Sequence, residues 1–333
     1  MKLAGRFLTA ALLLALAAPV SAQDIGLQQI DVTASPIAQF KIGSQEKLFG
    51  RLEFIGGLEM NASARNFGAL SAFHFLDAGG KFIGVADTGF WFAGTVTRDG
   101  EGRPSGMSDF RMNPMLDENG GAFRKKWESD AEGMFAEGKN ILVSFEREHR
   151  ISRGTIDPDL LTVTLSDLEL PIPAYELRNN KGFETLAQSP KDGPLAGAAV
   201  AVTEKSLNKS GNVFAAVMSG PQKGVFFVRR NGEFDITDGD FLPDGDLLLL
   251  ERRFNMAEGI AMRLTLFKGG DIKPGATISG ETLLETDLAY QIDNMEALDV
   301  WKDADGATRV TLLSDDNHSI LQRNLLLEFK LAE

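Results

Sequence analysis

Glu132, Glu184 and Glu296 occupy the same point of a recurring sequence pattern, each at the start of a short strand. If equivalent points converge in space, the carboxylates repel one another, and their pKa values rise unless a cation neutralises them. Oxygen donors suit a hard cation such as Ca²⁺, which takes about six to eight of them. Asn180, Asp293 and Asn294 place further oxygens beside the glutamates. Glu132, Glu184, Asp293 and Glu296 are therefore the candidate metal ligands, with Ca²⁺ as the candidate cofactor. A second reading stays open: the same side chains cap strand turns and accept backbone amides from neighbouring repeat units.

A second layer of polar residues closes the next strands: Asp87, Glu146, Glu204, Glu251 and Asp315-Asp316-Asn317. Arg147, Lys205, Arg252-Arg253 and Arg323 accompany it. An anionic ester calls for both features, a metal to polarise its oxygens and a guanidinium fork to hold them. On this basis Arg252, Arg253 and Arg323 are candidate substrate-binding residues. Asp315, Asp316 and His318 are candidate catalytic residues, His318 as a general base. The structural alternative is a salt-bridged rim with a surface histidine. His74 sits on an alternating strand and reads as a packed residue. Three histidines and no cysteine argue against a dedicated zinc site. Gly-x-Ser-x-Gly, Walker, His-Glu-x-x-His and Gly-x-Gly-x-x-Gly motifs are all missing, which removes α/β-hydrolases, P-loop enzymes, zincins and Rossmann dehydrogenases.

The elements that must position these residues are strands. Short apolar runs alternate with Gly/Asp/Asn turns, the mark of many small antiparallel strands. Five units are legible, opening at Gly68, Asp130, Gly182, Asp240 and Asp293. Their spacing of roughly 50–60 residues suits a four-stranded propeller blade. The predicted fold is all-β, a single β-propeller of five to six blades over residues 23–333, the sixth built around residues 24 to 60. Lys47 to Ile55 and Asn324 to Leu331 are strands without a unit of their own. Pairing them closes the ring and removes its last open edge.

Lys2 and Arg6, the apolar run Phe7 to Ala18 and Val20-Ser21-Ala22 form a signal peptide with cleavage near Ala22. The expected location is periplasmic or secreted, with no membrane insertion, since the apolar run falls short of the ~20 residues of a span. The net charge of −13 argues against nucleic acid and anionic membranes as partners. A monomer acting on a small-molecule anionic ester is expected.

Longer blocks carry a family resemblance. Asp130-Ala131-Glu132-Gly133, Asn180-Lys181-Gly182-Phe183-Glu184-Thr185-Leu186-Ala187 and Leu242-Pro243-Asp244-Gly245-Asp246 appear in order. Leu250-Glu251-Arg252-Arg253-Phe254, Asp293-Asn294-Met295-Glu296, Ser314-Asp315-Asp316-Asn317 and Gln322 to Phe329 follow. Together they resemble the phytase-like family, described as having esterase-like activity of phytase. The resemblance implies an exported propeller with phosphoesterase or esterase activity and brings no nucleophile with it. Where it leads one to expect Asp-Arg-Gly, the chain has Asp87-Thr88-Gly89. Two functions are carried forward: a Ca²⁺-dependent hydrolase of a small anionic ester in the propeller channel, and a non-catalytic envelope binding or scaffold protein with a structural cation.

Overall fold

The computed structural model describes residues 26–117, 120–123 and 125–332. The expected signal peptide and its cleavage site lie outside the described residues. Five sheets follow one another along the chain, antiparallel except where Thr277–Ile278 adds a parallel edge to the third. Their inner strands are Leu70–Phe75, Ala131–Glu137, Phe183–Gln188, Asp235–Phe241 and Asn294–Lys302. Each inner strand packs against the inner strands of both neighbouring sheets, so the five sheets form the blades of a closed propeller. No helix among the described residues is long and apolar enough to cross a membrane.

The strands are apolar on both faces because each blade is buried on both sides. In the second strand of blade 4, Leu247 and Leu249 point into the core shared with blade 3. Leu248 and Leu250 point into the core shared with blade 5. The period of two along a strand turns one continuous leucine run into two half-cores. One such core fills each of the five junctions between blades.

The ring closes in blade 5, where Asn324–Leu331 from the C-terminus pairs antiparallel with Leu52–Ala62 from the N-terminus. Val32–Ile37 adds an outer strand to the same blade. The segment expected to support a sixth blade is thus the outer half of the fifth, and the propeller has five blades. A second expectation also shifts. Blade 4 does not open at Asp240, because its inner strand already runs from Asp235 to Phe241. Leu242 to Gly245 form the tight turn after that strand, with the Gly245 amide donating to the Leu242 carbonyl at 2.9 Å.

Candidate functional site

Every inner strand breaks register against its neighbour near its first turn. The shifts fall between Leu70 and Ala72, Phe183 and Thr185, Ile236 and Asp238, and Met295 and Ala297. In blade 2 the shift lies between Val143 and Phe145, opposite Glu132 and Gly133. A bulge leaves one residue unpaired and re-aims its side chain. The residues so placed are Ser71, Glu132, Glu184, Thr237 and Glu296, and all five line one cavity on the propeller axis. Gly133 makes the approach of blades 2 and 3 possible: a Cβ there would lie 2.2 Å from the Glu184 carbonyl oxygen.

The second strands supply a parallel ring. Ala86, Phe145, Thr203, Glu251 and Ser314 pair with the inner strands just before each bulge. One residue further on stand Asp87, Glu146, Glu204, Arg252 and Asp315, which also line the cavity. Its volume is about 200 Å³, and seven carboxylates face two cations, Lys181 and Arg252.

Burial and mutual repulsion govern these acids. Glu132 and Glu184 have no hydrogen bond or ion pair to the protein among the described residues. Burial, then Asp87 and Asp130, push Glu132 well above the usual carboxylate range. Burial, then Glu132 and Glu204, do the same to Glu184. Glu146 is pushed up to about 7 by burial, against the Gly182 amide that donates to it at 3.3 Å. Burial also raises Glu204, opposed by Lys181 Nζ at 2.7 Å from both its oxygens. Glu296 is raised by burial, opposed by Arg252 at 3.3 Å and by the Asn294 amide at 2.7 Å. Asp315 rises well above its ordinary value through burial, although the Asn317 amide donates to it at 2.7 Å.

Two trios of carboxylates bring one oxygen from each member within 4.8 Å of the others: Asp87–Asp130–Glu132 and Glu146–Glu184–Glu204. Their donors are all oxygens, and Asp87 Oδ1 is buried without a partner. This chemistry fits a hard divalent cation and does not fit a soft one.

The family model described as "Phytase-like: Esterase-like activity of phytase" matches residues 65–318. The chain belongs to the phytase-like family. No curated protein matches it. Among solved structures it is similar to an endo-arabinase from Bacteroides thetaiotaomicron, with 11% identity, 80% of this chain and 94% of that one covered, and a TM-score of 0.49. The PQQ-bound aldose sugar dehydrogenase from Streptomyces coelicolor gives 11% identity, 84% and 98% coverage, and a TM-score of 0.43. The soluble aldose sugar dehydrogenase from Escherichia coli gives 10%, 90% and 99%, and 0.45. These likenesses are of overall fold and carry no argument about activity.

In this phytase-like propeller the residues expected from sequence separate into two groups. Glu132, Glu184, Glu296, Asp315 and Arg252 meet in the cavity. Asp293, Asp316, His318, Arg253 and Arg323 do not line it. Arg253 stands one residue beyond Arg252, so the strand turns it to the other face, against Glu258 at 2.6 Å and the Phe234 ring. Arg323 donates to Gln291 and to the Ile292 carbonyl, and its amide donates to Asp293. Asp293 is occupied there and by the Asn294 amide. Asp316 accepts the Ala69 and His318 amides and the Asn324 side chain, which ties blade 5 to blade 1. His318 is exposed in the same loop at a positive φ of 50°. Glu251, placed by sequence in the second layer, turns instead into blade 4, where Arg263 grips both its oxygens at 2.8 Å. Sequence reasoning placed Asp130 at the opening of the second unit without assigning it to the site, and it did not find the counter-ion role of Lys181, which lies in the loop between blades 2 and 3.

Proposed function

We propose that this phytase-like protein is a divalent-cation-dependent hydrolase of small anionic esters, with phosphomonoesters as the leading substrates and Ca²⁺ as the leading cation. One observation carries the reading: Glu132 and Glu184 present unpaired carboxylates to an axial cavity of seven acids and two cations. Glu132, Glu184 and the acids within reach of them would hold the cation. When bound, it would supply positive charge to polarise the ester oxygens.

The remaining roles would fall to residues of blades 4 and 5. Arg252 lines the same cavity from blade 4 and would offer its guanidinium to the anionic group. Burial raises Asp315 well above the usual carboxylate range, the direction that suits a proton donor to the leaving oxygen. In the hydrolysis the water oxygen bonds to phosphorus as the bond from phosphorus to the alcohol oxygen breaks. Asp315 gives its proton to the departing alcohol and regains one from the attacking water. The products are the free alcohol and phosphate. A cavity of about 200 Å³ admits a phosphoryl head while the alcohol stays at the mouth.

The test compares glycerol phosphate with 4-nitrophenyl phosphate, with Ca²⁺ and with EDTA. Turnover should require Ca²⁺, and Asp315→Asn should lower kcat by about a hundredfold on the alkyl ester and far less on the nitrophenyl ester, whose leaving group needs no proton. Turnover unchanged by EDTA, or equal losses on both esters, contradicts the assignment. A second reading, a structural cation in a scaffold protein, is favoured by the position of the two trios at blade junctions 1/2 and 2/3. It predicts a higher melting temperature with Ca²⁺ and no hydrolysis of either ester.

A further inference from the structure

Lys181 reaches the cavity from the loop between blades 2 and 3 on a fixed backbone. Its amide donates to the Arg178 carbonyl at 3.0 Å, and its carbonyl accepts the Ser206 hydroxyl at 2.7 Å. The side chain is 35% exposed, with Nζ 2.7 Å from each oxygen of Glu204. Glu204 belongs to the trio completed by Glu146 and by Glu184, which is only 8% exposed and unpartnered. One ammonium cannot neutralise three carboxylates. A divalent cation in its place brings one more positive charge and competes with Nζ for the same oxygens.

The other cation of the cavity is held differently. The Arg252 guanidinium bonds Asn294 Oδ1 and pairs with Glu296 on blade 5, so a rigid fork is fixed at two points. Lys181 is a point charge on a flexible stem with one end in water, free to swing without moving the main chain. Lys126 repeats the arrangement one blade earlier, 2.6 Å from Asp87 and 3.6 Å from Asp130.

We propose that Lys181 is a displaceable counter-ion that occupies the Glu146–Glu184–Glu204 trio until a divalent cation takes its place. The released ammonium then turns to the mouth and holds the anionic group of the substrate opposite Arg252. This second step rests on the anionic-ester reading above. The displacement itself does not, since it concerns the cation alone. Cation binding therefore precedes anion binding and creates part of the anion site.

The experiment is calorimetric titration of the EDTA-treated full chain with Ca²⁺ at pH 8, alone and with phenylphosphonate, a monoester mimic that cannot be hydrolysed. Lys181→Met should bind Ca²⁺ roughly three- to tenfold more tightly than the wild type, because the competitor is gone. The same variant should lose the phenylphosphonate binding that Ca²⁺ induces in the wild type. Lys181→Arg, which restores the charge, should keep Ca²⁺ affinity within about twofold of the wild type, and far-UV circular dichroism checks that both variants fold. Equal or weaker Ca²⁺ binding by Lys181→Met overturns the displacement while leaving the cation site in place. If neither wild type nor variant binds Ca²⁺, the cation site and the displacement fall together.

Discussion

Two groups of buried carboxylates share the axis of this propeller, and their partners set them apart. Further along the inner strands, Asp238 accepts the Leu298 amide at 2.7 Å, Asp240 the Val300 amide at 3.0 Å, and Asp299 the Phe75 amide at 3.0 Å. These bonds join blade 4 to blade 5 and blade 5 to blade 1, and His74 Nδ1 stands 2.5 Å from Asp299. At the mouth, Glu132 and Glu184 are desolvated without any such partner. Removing a charge from water costs the same in either place, so the difference lies in what offsets it. Main-chain amides offset it in the lower group, which is therefore part of the architecture. At the mouth nothing in the chain does, and the unused acceptors are available to a ligand.

The largest expected effect breaks the lower group. Asp299→Ala should cost about 3–5 kcal/mol in guanidinium unfolding, since it strands His74 and the Phe75 amide in a site only 1% exposed. Glu184→Gln in metal-free protein should change stability by no more than about 1 kcal/mol, because it removes a charge that nothing offsets. A loss of several kcal/mol from Glu184→Gln would erase the distinction between the two groups.

The pH dependence sharpens the same contrast through separate windows, although both groups lose stability as pH rises. Glu146 has a folded value of about 7 against an ordinary 4.5, so folding takes up protons there. Metal-free protein should lose melting temperature as pH rises from about 4.5 to 7, and Ca²⁺ should remove that loss. His74 is raised from 6.5 to about 9: burial lowers it, and Asp299, with Asp240 behind it, more than compensates. Its contribution is complete below pH 6.5 and is lost as pH rises through about 9, with or without Ca²⁺. A melting profile with one shared transition, equally sensitive to Ca²⁺ throughout, would contradict the separation.

The smallest effect belongs to the exposed rim. His318→Ala should alter stability by less than about 0.5 kcal/mol and leave Ca²⁺ affinity and turnover unchanged. A turnover loss beyond about tenfold would restore His318 as a general base.

Much of the fold was legible because blades repeat and strands alternate. The leucine run at 247–250 and the matching strands at the two ends of the chain announce a buried, ring-closed sheet array. Glu132, Glu184 and Glu296 were legible because three blades carry the same acid at the bulge. Blade 4 departs from the expected start for the converse reason: Thr237, not a glutamate, stands at its bulge. Register explains the remaining errors. A shift of one residue sends a side chain to the opposite face, which separates Arg252 from Glu251 and Arg253. Lys181 as the partner of Glu204 was illegible, because that contact depends on the path of a loop between blades.

The central claim is that the mouth carboxylates form a cation site, and calorimetry tests it most directly. EDTA-treated wild-type protein and Glu184→Gln are titrated with Ca²⁺ under one set of conditions. The account predicts binding to the wild type that weakens by at least about tenfold in the variant. Equal affinity in the two proteins, or no binding to the wild type, would contradict it.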